Sequence, residues 1–118
     1  MICMFEDCSG LKSLDLSNFD NSNVIDMYNM FSKCSGLTSL DLSSFNTSKV
    51  TTMASMFYKC SGLTLLDLSK WDTGKVTSMD DMFYGCTSLT TIRMVGCSEA
   101  TIQKITDIKP SSASIVTE

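Results

Sequence analysis

The sequence predicts an α/β solenoid, with short parallel strands stacked on one face and short helical or 3₁₀ turns on the other. Three observations lead there. Apolar and cysteine columns recur every 26 residues, each period holds a Leu-x-Leu alternation, and turn-forming residues separate its two halves. A unit of that length is one supersecondary element that cannot bury an apolar face alone, so neighbouring units must stack.

The columns are in strict register. Cys8, Cys34, Cys60 and Cys86 share the interval with Phe5, Phe31, Phe57 and Phe83 and with Met4, Met30, Met56 and Met82. So do Leu11/Leu37/Leu63/Leu89, Leu14/Leu40/Leu66/Ile92, Leu16/Leu42/Leu68/Met94, Phe19/Phe45/Trp71 and Val24/Val50/Val76. The register gives one domain: a partial N-terminal repeat over 1–10, repeats over 11–36, 37–62 and 63–88, and a degenerate repeat with a C-terminal cap over 89–118.

Within a unit, Leu40 and Leu42 alternate with polar neighbours, which predicts a short half-buried strand. Val50, Met53, Met56 and Phe57 are spaced for one or two helical or 3₁₀ turns carrying one apolar stripe. Between the halves lie Asp20-Asn21-Ser22-Asn23, Asn46-Thr47-Ser48 and Asp72-Thr73-Gly74, side chains able to bond their own backbone in turns. Cys-Ser-Gly closes the units ending at 10, 36 and 62, with Gly10, Gly36 and Gly62 expected to supply permissive backbone. Stacked strands lie about 4.8 Å apart, so every apolar column becomes a ladder through the core.

The last unit departs from the pattern. Arg93 takes the Asp position and Cys97 the aromatic one. Residues 98–108 then predict a helix with Ser98 as N-cap, ended by Pro110, and residues 113–117 predict a final strand. Such an atypical unit hides the last core face of a repeat array. The pattern therefore predicts a natural C-terminus, while the opening in mid-unit at Met4-Phe5 predicts a truncated N-terminus.

Composition narrows the function. The chain has 118 residues, 43% hydrophobic and 19% charged, with a formal net charge of −4. Its pI is near 4.6 and its mean hydropathy +0.11. That composition suits a packed domain, and the negative charge disfavours nucleic acid and anionic membrane surfaces as partners. With no histidine, Ser-His-Asp and Cys-His pairs and His-ligated metals are excluded. No apolar run approaches the roughly 18 residues of a spanning helix, and no signal-type stretch follows Met1.

The motif Leu-x-x-Leu-x-Leu followed by Met-Phe-x-x-Cys resembles the BspA-type leucine-rich repeats of bacterial surface proteins, in their 26-residue variety. Units such as Leu37-Thr38-Ser39-Leu40-Asp41-Leu42-Ser43-Ser44-Phe45 and Val50-Thr51-Thr52-Met53 carry the resemblance, which covers residues 4 to about 97. It implies a right-handed leucine-rich-repeat solenoid, exposure on or secretion from the cell, and attachment to host proteins or other cells. Such repeats also occur in secreted or surface proteins of some protozoa. The resemblance carries no catalytic residues and no cofactor.

Several constellations invite chemistry. The cysteine column lacks the clustered pairs of a zinc site, and a line of small buried thiols accounts for it more simply than cross-links between stacked neighbours. Cys3 and Cys97 fall off that column, and nothing flanking them marks a low-pKa thiol. Met27/Met53/Met79 and Met30/Met56/Met82 form two columns whose thioethers suit copper(I), yet ladder positions in an apolar stripe are core. The Asp/Asn turns lack the carboxylate spacing of a calcium loop. Tyr58 and Tyr84 are expected to face outward opposite the sheet, and Asn46-Thr47-Ser48 is a glycosylation sequon only in a eukaryotic host.

The outward strand positions are the candidate partner-binding face. Asp15, Asp41 and Asp67 align there with Arg93 at the end, flanked by Thr38, Thr64 and Thr90 and by Leu65, an apolar residue at an outward position. Like charges about 5 Å apart in water repel by roughly 0.8 kcal/mol per pair. The stripe either meets a basic partner or cation, or is a solvated Asp copied by duplication that discourages edge pairing. The expected function is a non-enzymatic adhesion or binding module that recognises a host or neighbouring-cell surface protein or glycan. The alternative is a structural spacer that displays another domain and binds nothing. Neither reading involves nucleic acid, membrane insertion, a metal or a cofactor. Self-association is expected at the uncapped N-terminal end, where Ile2, Met4 and Phe5 meet no neighbour.

Overall fold

In the computed structural model, which describes residues 2–118, four strands and one helix occur in the order β1 (Ser39–Asp41), β2 (Leu65–Asp67), β3 (Thr91–Arg93), α1 (Glu99–Ile108) and β4 (Ser114–Val116). The sheet is all parallel, in the order β1-β2-β3-β4. Leu40 pairs with Leu66 and Leu66 with Ile92, so the 26-residue period is the strand register itself. β4 joins in shorter register, Ile92 facing Ile115, because α1 replaces part of a coil.

The middle residue of each of β1–β3 points into the core while its neighbours point out. One residue past the strands, Leu42, Leu68 and Met94 are wholly buried, and their amides continue the ladder to Asp67, Arg93 and Val116. Phe5, Phe31, Phe57 and Phe83 stack with ring centroids 5.4, 5.8 and 5.7 Å apart and ring planes nearly parallel. Buried polar side chains are matched between coils. Thr47 Oγ1 donates to the Asp72 carbonyl and accepts from the Asp72 amide, and Asn21 and Asn46 make a similar reciprocal pair. Such pairing avoids the cost of a buried unsatisfied group.

The helical or 3₁₀ turns expected opposite the sheet are not there. Residues 27–34, and their equivalents 26 and 52 positions on, form overlapping four-residue turns. Met30 N–H donates to the Met27 carbonyl, Ser32 to Asn29 and Cys34 to Phe31. The third residues of the first and last of these turns, Asn29 and Lys33, have φ of 56° and 62°, the mark of type II turns. A helix would give its interior amides to carbonyls four residues back in the same segment. Here the alternate amides of Met27, Asn29, Phe31 and Lys33 donate instead to the carbonyls of Thr52, Ala54, Met56 and Tyr58 in the next coil, at 2.6–3.1 Å. Burial of Met27, Met30, Phe31 and Cys34 imitates a helical stripe because the overlapping four-residue turns return side chains to one face. Across these turns the ladder is one-way, each giving N–H groups to the following coil and receiving them from the preceding one; only just before them do Thr51 and Thr77 donate back to Ile25 and Thr51.

Two further expectations change. Residues 11–16 form no strand, and Leu11 and Leu14 are only half-buried, because no earlier coil packs against them. Gly36 and Gly62 serve close approach rather than left-handed backbone. A Cβ on Gly36 would stand 2.5 Å from the Ser9 carbonyl oxygen, and one on Gly62 would meet the Ser35 carbonyl, whereas Gly10 faces open space. The left-handed residues are the turn positions, among them Asn29, Lys33, Ser55, Lys59 and Gly85.

The C-terminal unit follows the sequence reading. Ser98 Oγ accepts from the Thr101 amide as N-cap of α1, and Ile105 and Ala113 close the core.

Candidate functional site

Each of β1–β3 ends in a residue singled out from the sequence. Asp41 and Asp67 are the last residues of β1 and β2, and Arg93 is the last of β3. Pairing sets Asp41 beside Asp67 and Asp67 beside Arg93. Arg93 Nε lies 3.5 Å from Asp67 Oδ2, a partly exposed ion pair that covers one end of the acidic column. Asp15 occupies the same place in the first coil, exposed and without a strand around it.

The carboxylates also have a local task. Asp15 Oδ1 accepts from the Ser17 amide, Asp41 Oδ1 from the amide and hydroxyl of Ser43, and Asp67 Oδ1 from the Ser69 amide, all at 2.6–2.9 Å. These are Asx turns that lead the chain out of the strand toward the aromatic corner. The Ser43 hydroxyl and amide hold the Asp41 carboxyl below its usual range, with Arg93 adding least. The Ser17 amide does the same for Asp15. The acidic column thus has a structural cause in every coil, independent of any partner.

Beside it, Thr64 donates its amide and its hydroxyl to the Thr38 carbonyl, at 2.8 and 2.9 Å, and Thr90 repeats this toward Thr64. The three threonines form an exposed ladder in which the Thr64 and Thr90 hydroxyl protons are already committed. Leu65 pairs with Ser39 on one side and Thr91 on the other, and remains 39% exposed. Asp15, Asp41, Asp67, Arg93, Thr38, Thr64, Leu65 and Thr90 therefore gather on one surface: an acidic edge, a threonine ladder and one apolar knob.

The cysteines serve the core. Cys34, Cys60 and Cys86 are buried free thiols that donate to the carbonyls of Phe5, Phe31 and Phe57 at 2.9–3.0 Å. Burial pushes the Cys34 and Cys86 thiols up to about 11 and that of Cys60 to about 12. Cys97, at the aromatic position, donates to the Leu68 carbonyl as Trp71 Nε1 donates to that of Leu42. Tyr58 and Tyr84 are not separate surface residues. Their rings stack 5.2 Å apart, with the Lys59 ammonium 5.3 Å from the Tyr58 ring centre, and their shared spacing of 26 was the signal for it. Among the described residues, no three His, Cys, Asp or Glu side chains gather as a metal-binding group. No helix among them is long and apolar enough to cross a membrane.

These features define a small α/β repeat protein whose coils are tied by a parallel sheet on one side and turn-to-turn hydrogen bonds on the other. The chain belongs to the family described as "Mycoplasma protein of unknown function, DUF285", which matches residues 1–110. No curated protein and no solved structure matches it.

Proposed function

We propose that the chain is part of a right-handed leucine-rich-repeat solenoid of the BspA type, exposed on the cell surface or secreted. In this reading it is a non-enzymatic binding module. The outer face of the sheet recognises a surface protein or glycan of a host or neighbouring cell. One observation carries the proposal: Leu65 stands 39% exposed in a column otherwise filled by Ser39 and Thr91, on a surface held rigid by the core beneath. An apolar knob beside an acidic edge suits a partner with an apolar spot and basic neighbours.

The Asx turns favour a second reading. Because Asp15, Asp41 and Asp67 are each used by their own coil, the column needs no ligand to account for it, and a spacer array that binds nothing would keep it.

The test uses surface plasmon resonance with the immobilised chain against purified extracellular-matrix proteins and a glycan array. Lysine at the Asp positions would break the turns, so the variants are Leu65→Ser and Asp15→Asn/Asp41→Asn, which keep the Oδ1 acceptor. A ligand held by the wild type and weakened about tenfold by either variant, about 1.4 kcal/mol, supports the binding face. Equal binding by all three, or no ligand for any, overturns it in favour of the spacer.

A further inference from the structure

We propose that the cleft between the last back turn and the segment following α1 docks an extended, basic peptide segment of a partner through the peptide's main-chain carbonyls. The site is distinct from the outer face of the sheet. It follows from the one-way ladder of the back turns. The amides of Met53, Ser55, Phe57 and Lys59 donate to the carbonyls of Ser78, Asp80, Met82 and Tyr84 at 2.6–3.0 Å. In the next coil the equivalent donors are Met79, Asp81, Phe83 and Gly85. Among the described residues these four amides have no hydrogen-bond partner, because the chain turns into α1 instead of a further coil. The turn geometry that aims them persists, with Asp81 and Gly85 at φ of 57° and 79° and the Met82, Tyr84 and Cys86 amides bonded back within the turns.

The row opens onto a cleft of about 880 Å³ between residues 79–87 and Ile108, Pro110 and Ser111. Met79, Phe83, Ile108 and Pro110 give it apolar walls. Donors on every second residue match a chain that offers carbonyls at the same interval, as Ser78–Tyr84 does one coil earlier. That main-chain complementarity is the physics of strand addition, in which backbone bonds hold the peptide and pockets select its side chains. The occupant thus continues the interface that already joins the coils. Asp80 and Asp81 are the only charged residues of the lining, so a peptide bearing cations is preferred.

Two end-blocked peptides from the chain itself serve as probes. Residues 50–59 carry the carbonyls that fill the donor row of the second coil, and their only charged side chain is Lys59. Residues 76–85 offer the same carbonyl spacing but carry Asp80 and Asp81. Amide NMR of the full chain is expected to show the 50–59 peptide shifting Met79, Asp81, Phe83 and Gly85 and slowing their hydrogen exchange about tenfold. The 76–85 peptide is expected to bind about threefold or more weakly, a difference reduced by salt. Ser111→Trp alters an exposed residue whose hydroxyl makes no bond, fills the cleft, and is expected to weaken binding about tenfold with the melting temperature unchanged. The proposal is overturned by any of four results: no shift of these amides at about 1 mM peptide, binding that Ser111→Trp leaves intact, equal binding of the two peptides, or equal shifts from inorganic sulfate.

Discussion

If the phenylalanine column is a shared core, the cost of removing a ring depends on how many neighbours it has. Phe57 is wholly buried, with Phe31 5.8 Å away on one side and Phe83 5.7 Å away on the other. Phe5 is half-buried and stacks only on Phe31. Phe57→Ala leaves a closed cavity and is expected to cost about 4 kcal/mol. That total includes two stacked contacts of roughly 1 kcal/mol each. Phe5→Ala loses one contact and leaves an open notch that water fills, so about 1–2 kcal/mol is expected. Urea unfolding followed by circular dichroism and by Trp71 fluorescence measures both. For a domain of this size Phe57→Ala should lower the melting temperature by about 10–20 °C. Phe57→Ala costing no more than Phe5→Ala would refute the reasoning, because coils that do not share a core cannot make the interior ring the expensive one.

Four other predictions follow from the same geometry. Asp41→Asn is expected to change stability by less than about 0.5 kcal/mol, whereas Asp41→Ala, which loses the bonds to Ser43, costs about 1 kcal/mol by chemical denaturation. Since the Asp15, Asp20 and Asp41 carboxyls are held below their usual value of 3.8 by their serine partners, the stability they add is complete above that pH. It is lost as the pH falls through their lower folded values, and a pH titration of the melting temperature should decline there. Iodoacetamide at pH 8 should label half-buried Cys3 and Cys8 well before Cys34, Cys60 and Cys86, whose thiols burial keeps protonated; mass spectrometry of labelled peptides decides. Light scattering should show concentration-dependent association that Ile2→Ser/Met4→Ser abolishes, because these residues are 57% and 47% exposed on the uncovered first coil. A single-chain mass at all concentrations would remove that face from consideration.

The sheet was legible because strand register and repeat period are the same quantity: once Leu40, Leu66 and Ile92 form a column, parallel pairing follows. The helix α1 was legible from Ser98 and Pro110, which mark its two ends by backbone chemistry. The back of the coil was not. Met27, Met30, Phe31 and Cys34 fall at spacings that a helix and a run of overlapping four-residue turns bury equally well, and side-chain pattern does not record where alternate amides donate. The strand expected at residues 11–16 failed for a related reason, since a three-residue strand exists only through its neighbours. In the candidate binding face, the residues were named from the sequence and do lie together. Their ties to Ser17, Ser43 and Ser69 were hidden, because an Asx turn and a solvated charge look alike as letters.

The one-way ladder makes the two ends of the stack chemically unlike. The first coil turns the carbonyls of Ile2, Met4 and Glu6 outward, since their equivalents Tyr28, Met30 and Ser32 accept from Cys3, Phe5 and Asp7. The last coil turns amides outward. Two first coils packed face to face would set carbonyl against carbonyl, so apolar contact alone drives that association and no register is specified. An acceptor row meets its complement only in a donor row, and at the other end α1 and β4 already occupy the sheet side. What remains there is the back half, whose cleft of about 880 Å³ is the site of the proposed segment. The cap therefore does more than close the core: it turns a surface suited to endless stacking into one that admits a peptide and stops.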